Sequence, residues 1–192
     1  MKKILFTAAL AMLCIPALSQ TYKFAHISAE EVIQLMPEMD TVRTKMAAMA
    51  KENQDVLKSM YDEYQSKIQT FQQKEKDWTE AVRTSKAKEI SDLEARIQET
   101  RETIAQDMQE IQNKLQAPVM EKFNKTVEKI AKEGGYIYVF YANSVVYKDD
   151  AQSVDITPAA RKALNIPAGR TLESLYKELQ AQADAEQAAQ AK

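Results

Sequence analysis

The sequence predicts an α+β chain that is mostly α: a small oligomerising β body carrying a long antiparallel helical hairpin, a coiled-coil tentacle. Three observations predict it. Between Pro37 and Pro118 there is no glycine or proline, so nothing there obliges the backbone to leave a helix. Apolar or near-apolar rungs recur at helical spacing through Leu57, Tyr61, Tyr64, Ile68, Phe71, Trp78 and Val82, with one missed rung at Glu75. They resume at Ile90, Leu93 and Ile97 and continue to Val127 and Ile130, the pattern of long amphipathic helices. Short stretches rich in aromatic and β-branched residues, 22–27 and 136–142, flank the run on either side and read as strands.

One helix over residues 38–133 would span roughly 140 Å at about 1.5 Å per residue, and a chain of this size has nothing to cover so long an apolar stripe. Folding back supplies the cover. The apolar rhythm lapses over 83–89, which places the tip there and divides the run into arms of nearly equal length. Equal arms return the chain to its starting point, where the flanking strands can join one sheet.

Residues 1–19 carry two lysines, an apolar stretch from Ile4 to Leu18, and Ala17-Leu18-Ser19 before Gln20. This reads as a cleaved secretory signal peptide and predicts an exported protein. Cys14 follows the bulky Leu13, where lipoprotein processing expects a small residue. Cleavage also removes the only cysteine, leaving no disulfide, thiolate nucleophile or cysteine-based metal site. The remaining 24 basic and 28 acidic residues give a net charge of −4. That weak, evenly interspersed acidity argues against nucleic acid as a partner. Three glycines in the whole chain allow few turns, and one long hairpin leaves little material for a globular core. The core is therefore expected to be completed by further copies of the chain.

The first part of the β body spans 20–37. After its strand, Ser28 and Glu31 match a capping box that opens a helix bearing Val32, Ile33, Leu35 and Met36. Pro37 then either kinks that helix or starts the long arm.

Within 38–133 the outgoing arm concentrates methionine and aromatic residues, and the returning arm uses Ile, Leu and Val. Met46, Met49, Met60, Tyr61, Tyr64, Phe71 and Trp78 admit two readings: seam of the hairpin, or contact surface for a client. Flexible, polarizable methionine suits surfaces of varied shape. Glu63–Lys67, Glu110–Lys114, Glu121–Lys125 and Glu128–Lys132 stand at i,i+4 in the favourable orientation, and they solubilise exposed helix. Arg83, Lys86 and Lys88, near the expected tip, read as a solvated turn or as a contact for anionic lipid or client. Pro118 is expected to kink the returning helix without breaking it.

The body resumes over 134–168. Gly134-Gly135 ends the helix, and the run from Tyr136 to Tyr141, the turn Ala142-Asn143-Ser144 and Val145-Val146-Tyr147 read as a β-hairpin. A strand apolar on both faces needs cover on both, from the long arms or from neighbouring subunits; Phe24, Ile27, Ile137, Val139, Phe140, Tyr141, Val145 and Val146 are the oligomerisation candidates. Thr157-Pro158 reads as a helix N-cap followed by proline, and that helix should end near Asn165. Residues 169–192 hold one more helical stretch, 172–179, which fades into an Ala/Gln-rich tail expected to fray.

Enzymatic function finds no support. The single histidine, His26, has no nucleophile pattern beside it and no second histidine with which to hold a metal. There is no phosphate-binding glycine loop, and the carboxylates lie along solvated helices. No cofactor is implied.

The order of an exported signal, a short strand, a Ser-capped helix with a proline (Ile33-Gln34-Leu35-Met36-Pro37-Glu38), paired long helices, Gly-Gly, an aromatic β-hairpin and Asp155-Ile156-Thr157 leading to Leu164-Asn165 resembles the Skp (OmpH-like) family of periplasmic chaperones. The resemblance covers roughly residues 22–165. It implies a homotrimer whose strands build a β body, from which three hairpins hang around a cavity. There the family holds unfolded outer-membrane β-barrel proteins without ATP. Its well-studied members are strongly basic and this chain is acidic, so electrostatic client capture and lipopolysaccharide binding are not carried over. The segment after Gly169 lies beyond the family pattern. The competing reading is an exported coiled-coil spacer or adaptor linking envelope components, which would have a dry hairpin seam.

Overall fold

The computed structural model describes residues 22–190; the leader expected over 1–19 lies outside them. Strand β1 (Lys23–Ile27) leads into helix α1 (Ala29–Leu35), and helix α2 (Pro37–Lys74) follows after a single residue. That residue, Met36, is extended (φ −60°, ψ 136°), as a following proline requires. Pro37 then opens α2 at the first helical position, where no N–H is needed. A 3-10 turn (Glu75–Asp77) reverses the chain into helix α3 (Glu80–Gly134), which runs unbroken through Pro118 for 55 residues. It stops at Gly135, whose φ of 67° is left-handed and whose N–H donates to the Ala131 and Lys132 carbonyls. Glycine takes that conformation without the clash a Cβ would bring. Strands β2 (Tyr136–Tyr141) and β3 (Ser153–Asp155) and helices α4 (Thr157–Ala163) and α5 (Leu172–Gln190) complete the chain.

The three strands form one parallel sheet in the order β2-β1-β3, with Ala25 opposite both Val139 and Val154. Alternation along β1 sends Ala25 and Ile27 into the core, where they meet Val32 and Leu35 of α1, Phe123 of α3 and Leu164 beyond α4. The helical excursion returns as the sequence predicts, and the segments flanking it pair in one sheet.

The turn lies at 75–79, not at 83–89. The cross-hairpin pairs Lys67–Glu89, Tyr61–Arg101 and Glu38–Lys122 are all centred between residues 78 and 81, and Phe71 packs edge-to-face on Trp78 at 5.7 Å. The lapse at 83–89 is a solvated start of α3. The arms are also unequal, 38 against 55 residues, because α3 continues past the start of α2 to carry the chain to β2.

The expected β-hairpin does not form. Val145-Val146-Tyr147 pairs with no strand; the chain leaves β2 through a 3-10 turn (Ala142–Ser144) and crosses to β3 on the far side of β1. Placing β1 centrally satisfies both of its hydrogen-bonding edges, which a β2 hairpin would leave half open.

Two expected caps are exchanged for a tertiary contact. Ser28 makes no side-chain cap; its backbone N–H donates to Thr157 Oγ1 at 2.9 Å. Thr157 in turn is helical, and its N–H is received by Asp155 Oδ1 at 2.8 Å. Helix α5 runs from Leu172 to Gln190, opened by reciprocal hydrogen bonds between Thr171 and Ser174, with Leu175 buried in the core.

A polar network surrounds the α1–α2 junction. Arg170 grips both Asp40 oxygens at 2.5 Å, Arg43 reaches Asp40 and the Gln34 carbonyl, and Arg161 joins Glu31 to the Arg170 carbonyl. Burial pushes the Asp40 carboxyl upward, but hydrogen bonds from Arg170 and Arg43 more than offset this and hold it below the ordinary value of 3.8. A carboxyl held low stabilises the fold above its unfolded value and loses that contribution as pH falls through its folded value. Unfolding followed by circular dichroism is therefore expected to be flat in this respect from pH 8 to about 5. Stability should then fall below pH 4, and Asp40→Asn should remove part of that acid-dependent loss.

Candidate client and assembly surfaces

The hairpin seam is half open along most of its length. Beyond Val42, α2 buries no residue fully, and α3 buries only Leu93 and Ile97 before it reaches Val119. Two paired helices cover each other's apolar stripe from one side only, so the remaining rungs keep a face toward solvent. Met46, Met49, Met60, Tyr64, Phe71 and Trp78 are all half-buried rungs of this kind, whereas Tyr61 is exposed. Met46 also packs on the core of the body. At the waist, Tyr61, Tyr64, Ile97 and Arg101 line an open groove, with Arg101 donating to the Tyr61 hydroxyl at 3.4 Å. Arg101 was not among the sequence candidates. Its place in the groove follows from its spacing one turn after Ile97, but only once the turn is correctly placed.

The basic residues expected at the tip sit on the first turns of α3, and each faces an acid: Arg83 with Glu80, Lys86 with Glu89 at 2.7 Å, Lys88 with Asp92 at 2.8 Å. The four i,i+4 pairs read from the sequence all form. In three of them, Glu110, Glu121 and Glu128, a hydrogen bond from the lysine holds the carboxyl below its ordinary value.

On the sheet face turned away from the core, the Phe24, Tyr138 and Phe140 rings lie 5.8–6.4 Å apart. Tyr138, absent from the sequence candidates, is 60% exposed; strand alternation puts it beside Phe140. Ile137, Phe140, Tyr141 and Val146 are also exposed, and Phe24, Val139 and Val145 are half-buried. Ile27, expected at a subunit contact, is instead consumed by the protomer's own core. β2 is an edge strand, and an exposed apolar edge is what a solitary soluble domain avoids.

His26 is buried beneath the β2–β3 connection. Lys148 Nζ lies 2.8 Å from its Nε2 and Ser153 Oγ 2.9 Å from its Nδ1. An ammonium only donates, so Nε2 accepts and Nδ1 carries the proton that goes to Ser153. The ring ties the crossing loop to the sheet. Among the described residues, no group of three or more His, Cys, Asp or Glu is placed to hold a metal ion, and no helix is long and apolar enough to cross a membrane.

Residues 23–164 match the family described as outer membrane protein (OmpH-like). The chain belongs to the OmpH-like family. It is 30% identical to the chaperone protein Skp of Yersinia enterocolitica over 162 residues, which cover 80% of this chain and 94% of that protein. The OmpH-like fold also appears in the crystal structure of an OmpH-like outer membrane chaperone from Caulobacter crescentus. The two superpose with a TM-score of 0.65 at 12% identity, over 75% of this chain and 84% of that one. The family relationship places the chain among chaperones and not enzymes.

Proposed function

We propose that this chain is an ATP-independent holdase of the periplasm, which binds unfolded outer-membrane β-barrel proteins between helical tentacles and prevents their aggregation. The half-open seam carries this reading. A β-barrel precursor in water exposes alternating apolar side chains and unpaired strand edges. A long wall of half-buried Met, Tyr and Phe rungs set among charges offers it many weak contacts, which hold the client and still release it. The exposed aromatic face and open β2 edge suit self-assembly, and a homotrimer would arrange the hairpins around an enclosed space. Anionic lipid at the tip is less favoured, because Arg83, Lys86 and Lys88 each already face a carboxylate.

Dilution of a urea-denatured outer-membrane β-barrel protein into buffer containing residues 20–192 is the test. Light scattering should be suppressed at near-stoichiometric amounts without nucleotide; unchanged scattering across several barrels would overturn the proposal in favour of an envelope spacer. Replacing Met49, Tyr61 and Tyr64 together by Ser, which spares the core-packed Met46, should raise the concentration needed for suppression by about tenfold or more. Sedimentation of that variant should show unchanged assembly; loss of assembly would make the three residues seam and not client contacts.

A further inference from the structure

The OmpH-like match ends at Leu164, yet the chain beyond it is built into the base of the hairpin. Leu175 is 2% exposed, and Leu172 and Leu179 pack on the same core beside α1. Arg170, the residue before the α5 cap, makes its two-pronged bond to Asp40 across 130 residues of sequence. Its own carbonyl is held by Arg161 of α4 at 2.5 Å. Asp40 lies one turn past Pro37, on the hairpin side of the α1–α2 junction.

That junction is where the hairpin has least backbone continuity with the body. Met36 interrupts α1 and α2. Across the hairpin, Pro118 stands on the tip side of that junction, one turn from Lys122, which pairs with Glu38. Proline has no N–H to offer the carbonyl one turn earlier, so each arm lacks a helical hydrogen bond near the base of the hairpin. Met39 and Val42 fasten one side of α2 to the core, and Arg170 fastens the adjacent side. An arm of 38 residues is about 57 Å long at 1.5 Å per residue, so a tilt of about 10° at its base moves the tip by roughly 10 Å.

We propose that Arg170 together with helix α5 is a brace that fixes the angle between hairpin and body, and thereby the width of the space the hairpins enclose. Arg170 and Asp40 are positioning residues: they touch no client and act through the direction of α2. The consequence for clients rests on the holdase reading above; the brace itself does not.

The test uses residues 20–192 with spin labels at Gln73→Cys near the tip and Lys162→Cys on α4, in labelled chains diluted into an excess of unlabelled ones. Pulsed electron resonance then reads one tip-to-body distance within a chain. Arg170→Gln and Asp40→Asn are each expected to broaden that distribution by several ångströms. Amide exchange over 38–43 should speed up about tenfold, the scale of losing one charge-assisted pair. A chain ending at Gly169 should broaden it further.

Unchanged distances and exchange in both point variants would overturn the brace, as would a shortened chain that unfolds while the point variants behave as the parent; α5 would then serve only to cover the core. With a β-barrel client, the point variants should shift the largest barrel held without abolishing holding. If the parent chain holds no client while the distances still broaden, the holdase reading fails and the brace stands.

Discussion

Phe123→Ala is expected to lower the free energy of unfolding by about 3–5 kcal/mol, because it removes a large side chain from a site with little room to collapse. Phe123 is 1% exposed and is the largest fully buried side chain of the body. It projects from α3 into the cluster formed by the inner face of the sheet, α1, α4 and α5, so its loss leaves a cavity bordered by several elements. Urea unfolding at fixed protein concentration measures the effect. Leu57→Ala, on the half-open seam, should cost only a fraction of it, since solvent already reaches that rung. Equal losses at the two positions would mean that the hairpin seam is as closed as the core.

Thr157→Val should cost about 1–3 kcal/mol, the penalty for leaving a part-buried donor without its acceptor. Valine keeps the volume of threonine while removing Oγ1, the acceptor of the Ser28 N–H at the start of α1. Thr157→Ser keeps the oxygen and loses only a methyl group, so it should cost clearly less. If the two substitutions destabilise equally, packing dominates at this position, and the contact between Ser28 and Thr157 contributes little. The pair is informative because Thr157 is 7% exposed, so solvent cannot readily substitute for the lost oxygen.

Thr157 also illustrates what was legible in the sequence. Its local pattern, Thr before Pro, is that of an N-cap, but its hydroxyl serves a strand–helix junction 129 residues away, and local patterns carry no information about such a partner. The long helices were legible because a sustained 3.6-residue rhythm has few alternative explanations. Their reversal was not, because 75–79 contains neither glycine nor proline; the only signals are the missed rung at Glu75 and a threonine at position 79. β2 was legible from composition, whereas its partner was a tertiary choice: Val145-Val146-Tyr147 has higher β propensity than Ser153-Val154-Asp155, yet the latter reaches the free edge of β1. In α5, the Ala/Gln content suggested fraying, while the anchoring signal was the spacing of Leu172, Leu175 and Leu179 behind Thr171. The seam candidates were found as residues, but their half-burial depends on how many helices pack together, which a single periodic stripe does not specify.

The central position of β1 has a bearing on the order in which this molecule is made. The strand is synthesised first among the elements of the body, and both of its neighbours come from beyond residue 135. Its edges therefore stay unsatisfied until nearly the whole chain is available, and contacts of such long sequence separation form slowly. The hairpin needs only its own two arms and contacts of shorter range. Assembly of the chain should thus begin at its extremity and finish at its root, with the aromatic face and the β2 edge appearing only in the last step. Under the self-assembly proposed above, the associating surface then exists only once each copy is complete, which limits mispairing between unfinished chains.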